Sequence, residues 1–409
     1  MHRQTRRLLA PAVLLLALLG ARLAAAPALT DPLGTLPQSI HLSIPPTYLL
    51  LAPVFTLWDG ISMLSMSRLR GFLQGLAVLY VLWRLVRWWW NRAVDHRSLN
   101  RARWLQEVRA LLFAIVSLTL FVAVGALWHR PMLSLSGVPA GTKVVDFHSH
   151  TNISHDVRGT LMRGFDAEAN RRWHGRAGFD AVFLTDHNVV PSPPVYRAGH
   201  PALCPGIEVS AWRAHIVLLG DTLPVATKRY RKGLRGLLTL LYTSDTTYGS
   251  LSLASLPEYQ RNHWNHLDLL ITAGLDGLEI VNASPAANEL GRAQRDSVIA
   301  LAKANNRFVV GVSDNHGWGA TSMVWNLVAV PPGKTDLCSS IIGQLRLGFP
   351  AVHIVERHRL RSDDPWPLWL TPLGVLWATW RSMGWPLTIS WIAWTLLWMW
   401  WRARAPCPC

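Results

Sequence analysis

The run ALLFAIVSLTLFVAVGALW, Ala110 to Trp128, holds 19 consecutive residues without a charge. As a helix it is long enough to cross roughly 30 Å of hydrocarbon. Lipid leaves an isolated segment no other choice, because every backbone N–H and C=O must be satisfied internally. The chain is therefore expected to be divided into membrane segments and whatever folds between them. Residues 69–90 read as a second transmembrane helix, with GFLQGLAVLYVLW at its centre and Arg84, Arg87 and Trp88-Trp89-Trp90 as an anchoring end. Residues 1–26 begin with Arg3, Arg6 and Arg7, continue apolar and end in Ala24-Ala25-Ala26. They read as a signal-like segment or a first transmembrane helix, and Pro27 after the alanines favours the uncleaved form. Residues 27–68 read as a connector in which Tyr48 to Met66 forms an interfacial helix, since Asp59 is costly in hydrocarbon. Residues 366–401, with ten tryptophans, read as one or two C-terminal membrane helices, 366–380 and 385–401.

The net charge of +16 raises the question of nucleic acid, and its placement answers it. Between Lys143 and Glu356 there are 20 Lys and Arg against 18 Asp and Glu, a balance of +2. The other +14 lies in the flanks, beside the apolar runs, where anionic lipid is the natural partner. A lipid bilayer is thus expected as a partner and nucleic acid is not. The stretch 91–109 carries Arg92, Arg97, Arg101, Arg103 and Arg109 against Asp95 and Glu107, so it is expected as a cytoplasmic loop. The middle of the chain then faces the periplasm or exterior of a bacterial-type inner membrane. Cys204 and Cys338 read as isolated small core residues, and the C-terminal Cys407-Pro408-Cys409 as a frayed tail.

Residues 143–356 alternate short apolar β runs with helical stretches. The runs are VVDFH, AVFLT, PGIEVS, HIVLL, LSLAS, GLEIV, FVVGVS and NLVAV; helical pattern appears around 163–177, 225–243, 259–273 and 289–304. Such alternation predicts an α/β domain with a largely parallel sheet. Metal-ligating side chains gather where the runs end: His148 and His150, then Asp186-His187, Glu208, His215, and Asp314 with His316. Imidazole and carboxylate together suit Mn, Zn or Fe, and a carboxylate able to bridge suits two or three ions. A single one of these signals is weak, and the conjunction is what points to a metal site.

In this order, DFHSHT, TDHN, GIE, the histidine of HIVLLG, and SDNH resemble the PHP (polymerase and histidinol phosphatase) domain family over about residues 143–330. The resemblance implies a distorted seven-stranded β/α barrel, here flanked by transmembrane helices, with two or three divalent metal ions and phosphoester hydrolysis. It makes His148, His150, His187, Glu208, His215, Asp314 and His316 metal ligands, Glu208 the bridging one, with Glu208 and His316 catalytic. Asp186 is expected to orient a neighbouring ligand. Where the family has an acid five residues after the second histidine, this chain has His155 followed by Asp156, and the reading prefers His155 of the two. Where the family has a histidine before proline, this chain has Leu256; His263 or His266 is a candidate replacement. Arg158 is a candidate phosphate clamp and Trp318 a candidate stacking surface, while KRYRKGLR, 228–235, reads as a solvated basic face. The function expected is a membrane-anchored, metal-dependent phosphoesterase acting on a phosphorylated small molecule or a lipid-linked phosphate. The alternatives are an amidohydrolase-like hydrolase and a non-catalytic metal-binding membrane module.

Overall fold

The computed structural model describes residues 3–34, 36–94, 101–128, 130–190, 199–220, 225–284, 289–318, 321–331 and 336–404. Cys407, Cys409 and residues 95–100 of the basic stretch lie outside them. Two short strands, β1 (Leu29–Thr30) and β2 (His41–Ser43), lie between the first helix and those that follow, and β3 (Ser134–Ser136) comes after those helices and pairs with β2. The strands of the middle region are β4 (Thr142–Ser149), β5 (Ala181–Leu184), β6 (Ala202–Ala211), β7 (Ala214–Leu219), β8 (Leu251–Ala254), β9 (Gly277–Asn282), β10 (Phe308–Val312), β11 (Val324–Ala329) and β12 (His353–Arg357). All eight apolar runs of the sequence are strands. Their side chains are buried nearly throughout, because helices cover one face and strands the other.

The sheet corrects the expected seven-stranded barrel. It is one curled sheet of ten strands in the order β1-β12-β11-β4-β5-β6-β7-β8-β9-β10, and it is mixed. β4, β5 and β6 are parallel, with Val145 opposite Ala181 and Ala181 opposite Ala202. β6 and β7 form an antiparallel hairpin, and β8, β9 and β10 run parallel again. The hairpin turns through Trp212 and Arg213, at φ +22° and +61°. Turns of this kind usually carry Asn-Gly, so Trp-Arg gave no warning of it. The barrel does not close because β11 pairs antiparallel with the free edge of β4, and β12 and β1 extend that edge. β4 and the end of β10 still meet at one end. The amide of Asp314 donates to the carbonyl of His148 at 2.9 Å, and that of His150 to Asn315 at 2.9 Å. This seam brings the first and last polar motifs together.

The N-terminal part of the chain is mainly helical: α1 (Arg3–Leu23), α2 (Pro46–Leu50), α3 (Ala52–Ser62), α4 (Met66–Val94) and α5 (Arg101–Leu127). Among the described residues two segments are long and apolar enough to cross a membrane, Met66–Trp89 and Trp104–Gly125, and only 17% and 6% of their best windows are buried. That exposure separates them from core helices of similar composition. The C-terminal membrane helices expected from the sequence are not among them. Of these, α13 (Thr371–Ser382) is too short and packs on α3 and α4, while α14 (Trp385–Arg404) lies against α1.

The expected interfacial segment is α2 and α3, and Asp59 lies inside protein. It accepts from Tyr48 Oη at 2.7 Å, Arg130 at 2.6 Å and Arg357 at 2.7 Å. Burial favours the protonated acid, but Arg357 and Arg130 outweigh it and hold Asp59 below the usual carboxylate range. Arg357 ends β12, so this cluster joins the N-terminal helices to the sheet. Arg68 of α4 makes a second tie, donating to the carbonyls of Arg361, Ser362, Asp364 and Trp366 at 2.6–3.2 Å. A further correction concerns the cysteines. Cys204 of β6 and Cys338, at the start of the helix Leu337–Leu345, form a disulfide, with Cα atoms 5.5 Å apart across 134 positions.

Candidate metal centre

The polar motifs gather at one end of the sheet, at or near the C-terminal ends of the parallel strands and at the start of the antiparallel β7. β4 delivers His148 and, one residue beyond its end, His150; the turn after β5 delivers His187, and β6 delivers Glu208. β7 delivers His215, and the turn after β10 delivers Asp314 and His316. Asp314 is held at φ +47°, a left-handed conformation that non-glycine residues adopt chiefly where surrounding structure enforces it. The short helix His155–Arg158 closes over the group.

Glu208 is at the centre. Its Oε2 lies 3.3 Å from His148 Nε2, 3.5 Å from His150 Nε2 and 3.1 Å from His187 Nε2. Its Oε1 lies 3.2 Å from His215 Nδ1. Three overlapping groups of donors result: His148, His150 and Asp314; His150, Asp156, His187 and His316; and His187, Glu208 and His215. In the first, Asp314 Oδ1 is 3.2 Å from His150 Nε2 and 3.5 Å from His148 Nε2, and the two imidazole nitrogens are 3.0 Å apart. Ligands about 2.0–2.1 Å from one cation in tetrahedral array stand roughly 3.3 Å from each other. The donor set therefore fits a divalent metal. Glu208 Oε2 carries the same message: it is buried, three nitrogens crowd it, and none meets it in hydrogen-bond geometry.

The next layer fixes the imidazoles. His148 Nδ1 donates to Glu279 Oε1 at 2.6 Å, and His316 Nδ1 to the carbonyl of Asp314 at 2.8 Å, so each turns Nε2 toward the centre. Glu279 also accepts from the amide of Leu256 at 2.9 Å and from Asn282, whose amide reaches Asp314. Sequence reading missed Glu279; its only signal was one acid inside the apolar run GLEIV. Asp146 was read as part of a motif and not as a site residue. It holds the amide of Ser313 at 3.0 Å and His174 at 3.0 Å. Asp186 holds the amide and hydroxyl of Thr151, next to His150, at 2.6 and 2.8 Å. It thus acts through the backbone and not on a histidine ring, and burial raises its pKa to about 6.

Charge is distributed sharply. Burial disfavours a charged His148, yet Asp314, Glu208 and Glu279 outweigh it and hold its pKa well above the ordinary value. Burial and the neighbouring His316 push His150 down to about 4. His215 and His316 are each raised to about 9, burial being outweighed by Glu208 for the first and Asp314 and Asp156 for the second. Glu208 and Asp314 are held below the usual carboxylate range by the same histidines, against burial.

The structure brings together His148, His150, Asp156, His187, Glu208, His215, Asp314 and His316. His155 is in none of the three donor groups. Asp156 Oδ2 is 2.6 Å from His316 Nε2 and 3.1 Å from His187 Nε2, whereas His155 is exposed, its ring 5.0 Å from that of His187. The two residues are adjacent on a helix, about 100° apart, so Asp156 reaches the donor groups while His155 packs edge-on against the ring of His187. Arg158 is exposed at the end of the same helix, and Trp318 is 38% exposed beside His316. Leu256 is buried. His263 bonds the carbonyl of Trp212 at 3.1 Å and packs at a tilt against its ring, and His266 packs near His263, so neither is among the donor groups. The basic residues of 228–235 are exposed and away from the cluster.

No protein-family profile matches the chain, and no curated protein matches it. Among solved structures it is similar to PsfC from Pseudomonas syringae, with 15% identity and a TM-score of 0.35, covering 58% of this chain and 96% of that one. It is also similar to a protein described as a putative metal-dependent phosphoesterase from Bifidobacterium adolescentis. That match has 18% identity and a TM-score of 0.31, and covers 52% and 98% of the two chains. Likeness at this level carries no argument about activity, so the function has to be argued from the site.

Proposed function

We propose that this chain is a membrane-anchored, metal-dependent phosphoesterase that holds two or three divalent cations, Mn, Zn or Fe, around Glu208. The observation that carries the reading is the convergence of three donor groups on one buried carboxylate whose two oxygens face different histidines. When bound, such cations neutralise phosphoryl oxygens and acidify a water to a nucleophile near neutral pH. The chain's own residues prepare for this. Glu279 keeps the proton on His148 Nδ1, and the Asp314 carbonyl keeps that on His316 Nδ1, so lone pairs are presented inward. Glu208 spans the groups, and Asp156 on its short helix completes the second. Arg158 and Trp318 are exposed, each two residues from a donor, and are the candidates to meet a phosphate and an organic substituent.

The substrate in this reading is a phosphorylated small molecule or a lipid-linked phosphate, reached on the side of the bilayer away from the cytoplasm. Two observations support that side: the arginine-rich stretch between the two candidate spans, and the Cys204–Cys338 disulfide, which suits an oxidising compartment. The test is elemental analysis of purified full-length protein, paired with hydrolysis assays on phosphomonoesters, phosphodiesters and amides. Turnover of a phosphoester that His148→Ala abolishes together with bound metal is the expected result. Hydrolysis only of amides, or bound metal with no turnover, would overturn the phosphoesterase reading.

A further inference from the structure

The helix after β8, Leu256–Asn262, opens with Ser255-Leu256-Pro257-Glu258, the pattern of a capping box. In that motif the glutamate turns back to the amide of the first residue. Here the box is not made. Ser255 provides no side-chain cap, and its amide is spent on the carbonyl of His215 at 3.1 Å. Glu258 is left to point elsewhere, and it points at the centre: Oε1 is 3.8 Å from His215 Nδ1. That is beyond hydrogen-bond distance, and the same nitrogen already faces Glu208 Oε1 at 3.2 Å. The other oxygen, Oε2, is buried and has no hydrogen-bond partner. This carboxylate makes no cap, its one ion-pair contact is the long one to His215, and its second oxygen is unpartnered.

We infer that Glu258 is a ligand of the cation held by His187, Glu208 and His215, an inference that rests on the metal-dependent reading above. Of those three donors only Glu208 is anionic, and Glu258 adds a fourth donor and a second negative charge. The neighbouring Leu256 contributes none, being buried and apolar. Two imidazoles with two carboxylates form a harder donor set than imidazoles with one, which shifts preference from Zn toward Mn. The site would thus differ from the group at His148 and His150 in which ion it retains.

The test is bound metal per chain and the Mn and Zn dissociation constants of the full-length protein in detergent, for wild type, Glu258→Gln and Glu258→His. Glu258→Gln should lose one equivalent of cation, or bind it about 10–100-fold more weakly, with the remaining equivalents unchanged. Glu258→His should keep that equivalent but reverse its preference toward Zn. If both variants hold the same metal with the same affinities as wild type, Glu258 is not a ligand and the inference falls alone. A wild-type chain that binds no cation overturns the metal-dependent reading itself. Should the glutamine variant fail to fold, the histidine variant decides by its metal preference.

Discussion

Two buried clusters of charge stand in this molecule, and they are built in opposite ways. On the N-terminal helices, Asp59 is met by Tyr48, Arg130 and Arg357, each at 2.6–2.7 Å, so the acid is fully satisfied by the protein. At the strand ends, acids and histidines crowd to 2.6–3.5 Å while Glu208 Oε2, faced by three imidazole nitrogens, is buried without a hydrogen-bond partner. Burying charge is unfavourable unless it is paired. The first cluster meets that condition with its own arginines and holds two parts of the chain together. The second meets it only in part, which is the mark of a place prepared for an external cation. Burial alone therefore does not identify a site; unsatisfied lone pairs converging on one point do.

Substitutions should separate the two. Glu208→Gln should have the largest effect, since this residue faces all three donor groups. More than one equivalent of cation and all turnover should be lost, while thermal unfolding of the metal-free protein still shows a cooperative transition. Retention of full metal content would break the comparison. Asp59→Asn should do the reverse. It leaves Arg130 and Arg357 buried without their acid and should destabilise the fold by about 3–5 kcal/mol, with metal content unchanged in the folded fraction. Denaturant melts with elemental analysis read both.

A finer effect is expected one layer out. Glu279→Gln should keep the fold and the number of cations but weaken their binding by about 10–100-fold, because His148 loses the carboxylate that orients its ring. Unchanged affinity would reduce Glu279 to packing. The smallest effect is one of pH. In the metal-free protein His215 and His316 have pKa values near 9 against an ordinary 6.5. Their contribution to stability is complete below about 6.5 and is lost as pH rises through 9. Cations take the place of those protons, so the rise in Tm on adding Mn should be greater at about pH 9 than at about pH 6. An equal rise at both would mean that no proton is displaced.

Much of this was legible in the sequence because strand ends punctuate it. The runs VVDFH, AVFLT and FVVGVS stop at His148, Asp186 and Asp314, PGIEVS and HIVLL carry Glu208 and His215 within them, and all five became strands. Three things were not legible, each for a physical reason. His155 and Asp156 are neighbours, and only the phase of a four-residue helix decides which one reaches the donor groups. Glu279 and Glu258 are single acids in or after apolar runs, a pattern shared with any half-exposed position. The partners of Asp59 lie 71 and 298 positions away, and the disulfide spans 134, so no local pattern announces them. The ten-stranded edge was hidden likewise: β1 has two residues, and HIVER mixes apolar and charged side chains.

The central claim is that cations gather around Glu208, and anomalous scattering from crystals of the Mn-loaded protein tests it most directly. The account predicts at least two peaks, each within coordination distance of a Glu208 oxygen and about 3.5–4 Å apart. Peaks placed elsewhere, or none from protein that retains its metal through purification, would contradict it.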